Sequence, residues 1–524
     1  MLKKTFSKQN RQKVQKRVRR SVFSFLFNRV TISVLLVLLQ FAFVLSALIF
    51  VQGRMTYVYN FFRMLSALVI VWLIRKPDNP AYKIAWIIII LVFAPIGAVF
   101  YLLWGNTPFN RSRLIKIQPI DTTRIEPTHP SATRELCTRL PNHRRCCQYL
   151  YNIAEMPAWK NTTAQYFPLG EYMFESMLCE LKKAKKFIFM EFFIIEEGHM
   201  WNSILKILTE KASEGVDVRV MYDDVGCIYT LPRGYDKTLR SMGIQVMRFN
   251  RFIPTLHTYL NYRDHRKMCI IDGNIGYTGG INLADEYINE KERFGHWKDT
   301  GIQLIGSGVA NMTALFLQLW DFSVGERTDN LTEYLPTIQA PNDGYVQAFA
   351  DSPLDNDNVS ETVFMNIIAN ATRSVYITSP YLTLDNEMIT ALCTAAQSGI
   401  DVRIITPGIP DKKYVYLVTR SYYAQLIAAG VRIYEYTPGF IHAKMIVADN
   451  DIAVVGTINM DFRSFYLHFE CGTVFYRGSV IDKVRQDILQ TIEQSREIDE
   501  HWLKTYPKWK SITASLLSLF APLM

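Results

Sequence analysis

The chain has 524 residues, with 58 Lys or Arg against 48 Asp or Glu and a formal net charge of +10. Its apolar share of 49% excludes a disordered chain, and its length allows two to four domains at ~150 residues each. Residues 1–29 hold ten basic residues and no acidic one, so the remainder carries 58 − 10 = 48 basic against 48 acidic residues; a neutral body argues against a nucleic-acid groove, which needs a basic surface.

The basic tail (1–29) is expected to be cytoplasmic by the positive-inside rule. Three apolar stretches follow within 30–105. Val30–Val51 and Ile84–Gly105 are each 22 residues without a charge, and at ~1.5 Å per residue each spans ~33 Å as a helix, enough to cross a hydrocarbon core. Thr56–Ile74 is 19 residues long but contains Asn60 and Arg63. Two or three spans are therefore expected, and their parity decides the side on which the following residues lie. Residues 106–150 read as a connector. The eight cysteines are scattered without a CxxC pair, so neither a metal centre nor a disulfide framework is expected.

From about Tyr151 the pattern becomes α/β and repeats, with one unit at 151–335 and a second at 336–500. Glu214-Gly-Val-Asp-Val-Arg-Val220 reappears as Ser398-Gly-Ile-Asp-Val-Arg-Ile404, and Met242-Gly-Ile-Gln-Val246 as Ala429-Gly-Val-Arg-Ile433. His265-x-Lys267-x-x-x-x-Asp272 is matched by His442-x-Lys444-x-x-x-x-Asp449, with Gly280 and Asn282 matched by Thr457 and Asn459. All five pairs share one offset, 177 (442 − 265, 444 − 267, 449 − 272, 457 − 280, 459 − 282). His and Lys two apart share one face of a strand. Two-residue turns at Gly273-Asn274 and Asn450-Asp451 would set His265 opposite Asn282, Lys267 opposite Gly280, His442 opposite Asn459 and Lys444 opposite Thr457. The small Gly280 and Thr457 would then leave room for a phosphate. Asp272 and Asp449 have the opposite strand parity to the histidines and read as turn residues more than as reacting groups.

These residue types suit phosphoryl chemistry. One imidazole can attack phosphorus, a second can protonate the leaving alkoxide, and two ammonium groups can hold the phosphoryl oxygens without a metal. Which imidazole takes which role is left open. A carboxylate behind each histidine would fix its tautomer, and Glu286 and Glu470 are the candidates. His257, His296 and His468 read as structural. The repeats differ in one place. They are offset by 187 at the second strand (430 − 243) but by 177 at the motif, so about ten extra residues lie between Val246 and His265. Arg248, Arg251 and Arg263, interleaved with Phe249, Phe252 and Tyr259, suggest a lip that gathers an anionic headgroup. The last segment, 501–524, mixes aromatics, lysines and leucines, which suits either a membrane surface or the catalytic core.

These motifs resemble the phospholipase D superfamily, and most closely its bacterial cardiolipin synthases. The resemblance includes Asn79-Pro80, Lys83, Trp86 and Pro95, Tyr222-Asp-Asp-Val-Gly226, Leu260 to Lys267, Gly279 to Tyr287, Trp297-Lys-Asp299, Ser379-Pro-Tyr381, Ile433 to Lys444 and Asn459 to Phe465. It implies two pseudo-symmetric α/β/α repeats with the active site between them, preceded by transmembrane helices. It also implies transfer of a phosphatidyl group from one phosphatidylglycerol to another, giving cardiolipin and glycerol, with His265 as nucleophile, His442 as acid/base and no cofactor. Hydrolysis of phospholipid is the alternative. The chain departs from the family at His468, where an asparagine is usual, and in its extra apolar stretch.

Overall fold

The computed structural model describes residues 56–105 (except 77, 94 and 95), 131–252, and 261–523 (except 329 and 356), together with Ala42 and Ser46. The basic tail, the rest of the stretch Val30–Val51 and Tyr259 lie outside the described residues. The chain divides into two units, one of residues 1–108 with 252–260 and one of residues 109–251 with 261–524.

In the first unit the described helices are Thr56–Arg75, Pro80–Val92 and Ile96–Phe100, the last followed by a π turn at Tyr101–Gly105. Asn79 starts the second helix, its side-chain oxygen accepting the Ala81 N–H at 2.9 Å, and Pro80 occupies the first turn, where its missing N–H costs nothing. The expected continuous helix over Ile84–Gly105 is not formed. Its backbone stops at Val92 and resumes at Ile96, in a segment where Pro95 has no N–H to donate. The chain turns so sharply that a Cβ on Gly97 would stand 2.5 Å from the Ile89 carbonyl oxygen. Among the described residues no helix is long and apolar enough to cross a membrane.

The second unit contains two mixed sheets built to one plan. The first runs in the order Thr162–Phe167, Gly301–Gly306, Ile275–Gly279, Lys267–Ile271, Phe187–Phe192, Asp217–Asp223, Gln245–Phe249. The second runs Tyr345–Asp351, His468–Tyr476, Ile452–Gly456, Met445–Ala448, Ser374–Thr378, Asp401–Pro407, Arg432–Tyr436, with Ser495–Ile498 added at the far edge. In both, three parallel strands adjoin antiparallel ones. The parallel strands are connected through helices, as parallel pairing requires. Gly215 and Gly399, both at φ +90°, end equivalent helices at equivalent places. The helix Val309–Val324 links the repeats and is buried along most of its length. The described part of the predicted connector, from Ser131 on, is not a separate piece. Its helices Ser131–Arg139 and Arg144–Asn152 pack into the core of the second repeat, where Gln347 Nε2 donates to the carbonyls of Cys147 and Met156 at 3.2 and 2.7 Å. The C-terminal helix Lys508–Ser518 packs on Lys413–Ser421, although Trp509, Ile512 and Leu516 stay exposed.

The motif hairpins are one residue out of the expected register. Met268 pairs with Thr278 and Met445 with Val455, sums of 546 and 900 where two-residue turns require 547 and 901. The cause is the motif aspartate. Asp272 and Asp449 both adopt φ +53° and lengthen each loop to three residues. Their carboxylates stabilise that conformation by accepting backbone N–H groups at the start of the neighbouring strand. Asp272 accepts from Lys185, Lys186 and Phe187 at 2.7–3.2 Å, and Asp449 from Thr372, Arg373 and Ser374 at 2.6–2.9 Å. Hydrogen bonds to an ionised acceptor contribute about 1.5–3 kcal/mol. Asp272→Ala and Asp449→Ala should each lower stability by about that much, read as a lower denaturation midpoint by intrinsic fluorescence. An unchanged midpoint would show that these bonds do not hold the turn.

Candidate active site

Two short parallel pairings cross between the repeats. Arg263–Asp264, just before the first motif histidine, pairs with His468–Phe469 of the second repeat. Gly439–Ile441, just before the second motif histidine, pairs with His296–Lys298 of the first. Each motif is thereby carried onto the other repeat. The His265 N–H donates to the Phe469 carbonyl at 2.9 Å, and the His442 N–H to the Lys298 carbonyl at 2.7 Å.

The next residue along each borrowed strand is a buried carboxylate. His265 Nδ1 lies 2.9 and 3.0 Å from the two carboxylate oxygens of Glu470. His442 Nδ1 lies 2.6 Å from Asp299 Oδ2. Each imidazole is thus oriented by the other repeat, and with Nδ1 engaged, Nε2 is the nitrogen available for chemistry. The lysines complete the pattern. Lys267 Nζ donates to the His265 carbonyl at 2.7 Å, and Lys444 Nζ to that of His442. All six groups are buried. Aromatic rings wall them in, with Phe193 5.1 Å from His265, and Tyr287 and Trp297 each 5.5 Å from His442 between centroids.

Several expected site residues stand elsewhere. Glu286, expected behind His265, accepts from Arg293 Nη1 at 2.8 Å, and Glu470, expected behind His442, stands behind His265 instead. The group that sequence reasoning missed is Asp299. It occupies the space beside Gly280 that was expected for a phosphate, where a Cβ would stand 2.1 Å from its Oδ1. The Thr457 hydroxyl donates to Glu470 at the equivalent place, so Gly280 and Thr457 accommodate the orienting carboxylates. Asn282 does not face His265. Its Oδ1 accepts the Ile194 N–H at 3.1 Å, and its Nδ2 donates to the Tyr287 hydroxyl at 2.7 Å, on the His442 side. Asn459 is buried, its N–H donating to Ser464 Oγ at 3.1 Å. His468 is not a remote structural residue, since its ring lies 5.4 Å from that of His265. Of the expected lip, Arg248 bonds to Asp224 at 3.5 Å, Arg263 is buried against Asp223 at 3.3 Å and Phe249 packs on Phe469. These three hold the structure together, and only Arg251 of the lip's arginines is exposed.

Burial sets the protonation of the site. It depresses His265 well below the usual imidazole range, with Lys267 and His468 adding to the effect. Burial, then Lys444, lowers His442 to about 4. Burial also lowers Lys267 to about 8 and Lys444 to about 7. The carboxylates diverge. Burial drives Glu470 well above the ordinary carboxylate range. Burial pushes Asp299 the same way, but His442 and Lys444 together outweigh it and hold Asp299 below that range. Asp299 therefore carries firm negative charge beside His442, whereas Glu470 and His265 form a pair of little net charge.

Known proteins bear directly on this geometry. The family model described as cardiolipin synthase, PLD-like domain matches residues 177–296 and 364–492, and one described as phospholipase D-nuclease N-terminal matches 64–106. The cardiolipin synthase of Geobacillus kaustophilus is 35% identical over 483 residues, covering 91% of this chain and 95% of that protein. Cardiolipin synthase 2 of Bacillus anthracis is 35% identical over 457 residues, covering 85% and 87%. Among solved structures, phosphatidylserine synthase of Haemophilus influenzae superposes with a TM-score of 0.55 at 15% identity, covering 72% of this chain and 97% of that one, a likeness of fold.

The lysine pKa values predict a pH profile. Both ammonium groups are protonated below about 8 for Lys267 and about 7 for Lys444, and an anionic phosphodiester needs them charged. For the free enzyme, kcat/KM should fall as pH rises through 7 to 8. The loss should appear mainly in KM, because bound anion raises both lysines. A kcat/KM constant from pH 6.5 to 9 would contradict the lysine assignment.

Proposed function

The chain belongs to the cardiolipin synthase family of phospholipase D-like enzymes, and from that premise we propose how its residues divide the work. Its activity is phosphatidyl transfer of the cardiolipin synthase type. His265 Nε2 attacks the phosphorus of one phosphatidylglycerol. The P–O bond to the headgroup glycerol breaks, and His442 Nε2–H gives that oxygen its proton. Glycerol leaves, and the phosphatidyl group remains on His265. The hydroxyl of a second phosphatidylglycerol then attacks phosphorus as His442 takes its proton. The P–N bond breaks and cardiolipin departs. Lys267 and Lys444 stabilise the non-bridging oxygens in both steps.

The assignment of roles is supported by the two carboxylates. An acid/base must pass through imidazolium, and Asp299, held ionised, stabilises that charge on His442. A nucleophile must be neutral when it attacks, and the low net charge of the Glu470 pair favours that at His265. Burial keeps His442 unprotonated near neutrality; the negative charge of the arriving phosphodiester raises it toward the acid form. Transfer in place of hydrolysis requires water to be kept from the phosphohistidine, and the rings of Phe193, Tyr287 and Trp297 around the imidazoles are suited to that.

We place this chemistry at a membrane. The helix Thr56–Arg75 exposes Phe61, Met64, Leu68 and Val71 along one stripe, spaced as one helical face. The run Val30–Val51 has the length to span, and the basic residues before it match an anionic cytoplasmic surface. A multi-pass arrangement with the tail inside is the reading we favour. The partners are phosphatidylglycerol and cardiolipin, and the neutral body favours neither DNA nor RNA.

The purified protein, incubated with phosphatidylglycerol alone, should yield cardiolipin and free glycerol in equal amounts by lipid chromatography. Phosphatidic acid as the main product would establish hydrolysis instead. His265→Ala and His442→Ala should each reduce turnover by at least about 10³-fold, the scale of losing a nucleophile or an acid/base. Activity surviving in either variant would refute the mechanism.

A further inference from the structure

One imidazole in the site takes no part in this reaction. His468 is 8% exposed and lies beside Phe193 as well as His265, with centroids 6.5 and 5.4 Å away. Its Nδ1 is buried and makes no hydrogen bond among the described residues, yet it points at Glu470, 3.6 Å from Oε1. That same oxygen lies 2.9 Å from His265 Nδ1. His265, His468 and Glu470 thus present one donor atom each, all within 4.8 Å of one another.

We propose that these three residues form a binding site for a divalent transition ion of the zinc class, and that its occupation switches the enzyme off. Two imidazole nitrogens and a carboxylate oxygen are a complete protein ligand set for zinc with one position left for water. Bonds of about 2.0–2.1 Å in a tetrahedron put donors about 3.3 Å apart, between the 2.9 and 3.6 Å separations present. The same donors discriminate against magnesium and calcium, which prefer oxygen.

Two features weaken the site without removing it. Lys267 lies close enough to depress both histidines. Arg463 Nη1 stands 3.4 Å from His468 Nε2. A metal on Nδ1 of His468 leaves the ring proton on Nε2, so that contact is lost. Binding is therefore reversible, unlike that of a permanent structural zinc.

The inhibitory consequence follows from the tautomer of His265, and that half of the proposal rests on His265 being the nucleophile. In the active form the Nδ1 proton is held by Glu470, and Nε2 has a free electron pair. A metal on Nδ1 displaces that proton. The neutral ring then carries its one proton on Nε2, which has no lone pair for phosphorus. No bond to substrate is made or broken, and removing the metal restores the original tautomer.

The test uses the full chain in detergent micelles, titrated with Co2+ as a spectroscopic substitute. Four-coordinate Co2+ absorbs visible light strongly, so one ion per chain should produce a tetrahedral d–d band that Zn2+ abolishes. His468→Asn and Glu470→Gln should each weaken binding by about tenfold or more. If His468→Asn does not fold, His265→Asn serves for the same spectrum. Micromolar Zn2+ should inhibit turnover, a chelator should restore it, and His468→Asn should raise the inhibition constant by about tenfold or more. The absence of a tetrahedral band in the unsubstituted protein overturns the site. A band unchanged in His468→Asn or His265→Asn overturns its location. A saturated band with undiminished turnover overturns the switch. The absorption readout needs no turnover, so it stands apart from any failure of the phosphatidyl-transfer reading.

Discussion

The site depends on an exchange of carboxylates between the two repeats. Glu470 orients the histidine of the first repeat and Asp299 that of the second. Both acids are fully buried, and for Asp299, which stays ionised, losing its partner costs about 3–5 kcal/mol. Within its own repeat each carboxylate has a local hydrogen bond, Thr300 N–H to Asp299 and the Thr457 hydroxyl to Glu470, but its histidine partner comes only with the docked pair of repeats. The crossed strand pairings at Arg263–Asp264 and Gly439–Ile441 fix the registers through which this exchange operates. The active site is therefore a property of the interface, and no single repeat of this chain contains it.

Symmetry of framework does not give symmetry of charge. Asp299 has Thr300 N–H donating to it at 2.8 Å and stays ionised against His442 and Lys444. Glu470 is longer by one methylene, and in its repeat the Thr457 hydroxyl occupies the place that Gly280 leaves open to Asp299. Under the proposed assignment, this difference lets one duplicated motif supply a neutral nucleophile and a chargeable acid. The same burial that neutralises the imidazoles brings Lys267 to about 8 and Lys444 to about 7. An arriving phosphodiester then finds cations that it can itself recharge.

Much of this was legible in the sequence because duplication makes spacing informative. The constant offset of 177 singled out both His–Lys pairs, and Glu470 was identified as an orienting group, although for His442 of its own repeat and not for His265. Asp299 was not, although the same ladder position defines it. Gly301 pairs with Gly279 as Gly472 pairs with Gly456, and each carboxylate lies two residues before that glycine. The offset there has fallen to 171 (470 − 299), so a search at 177 passes over it, and the residue sought lies in the other repeat. The hairpin register was misjudged for a local reason, since a left-handed aspartate held by three N–H groups of a distant strand leaves no trace in turn composition. The internal ion pairs of Arg248 and Arg263 likewise arise from tertiary contacts. His468 was set aside because a lone histidine in a strand has no signature until its neighbours are known.

The central claim is that each carboxylate serves the histidine of the opposite repeat, and serves a different chemical role there. It is tested most directly by single-turnover phosphatidyl transfer to the enzyme, comparing phosphatidylglycerol with a phosphatidyl ester of p-nitrophenol, whose leaving group needs no proton. Asp299→Asn should slow the step about 10²-fold or more with phosphatidylglycerol and leave the p-nitrophenyl ester nearly unaffected, while Glu470→Gln should slow both. Equal losses for Asp299→Asn with the two substrates, or the reverse pattern between the two variants, would contradict the account.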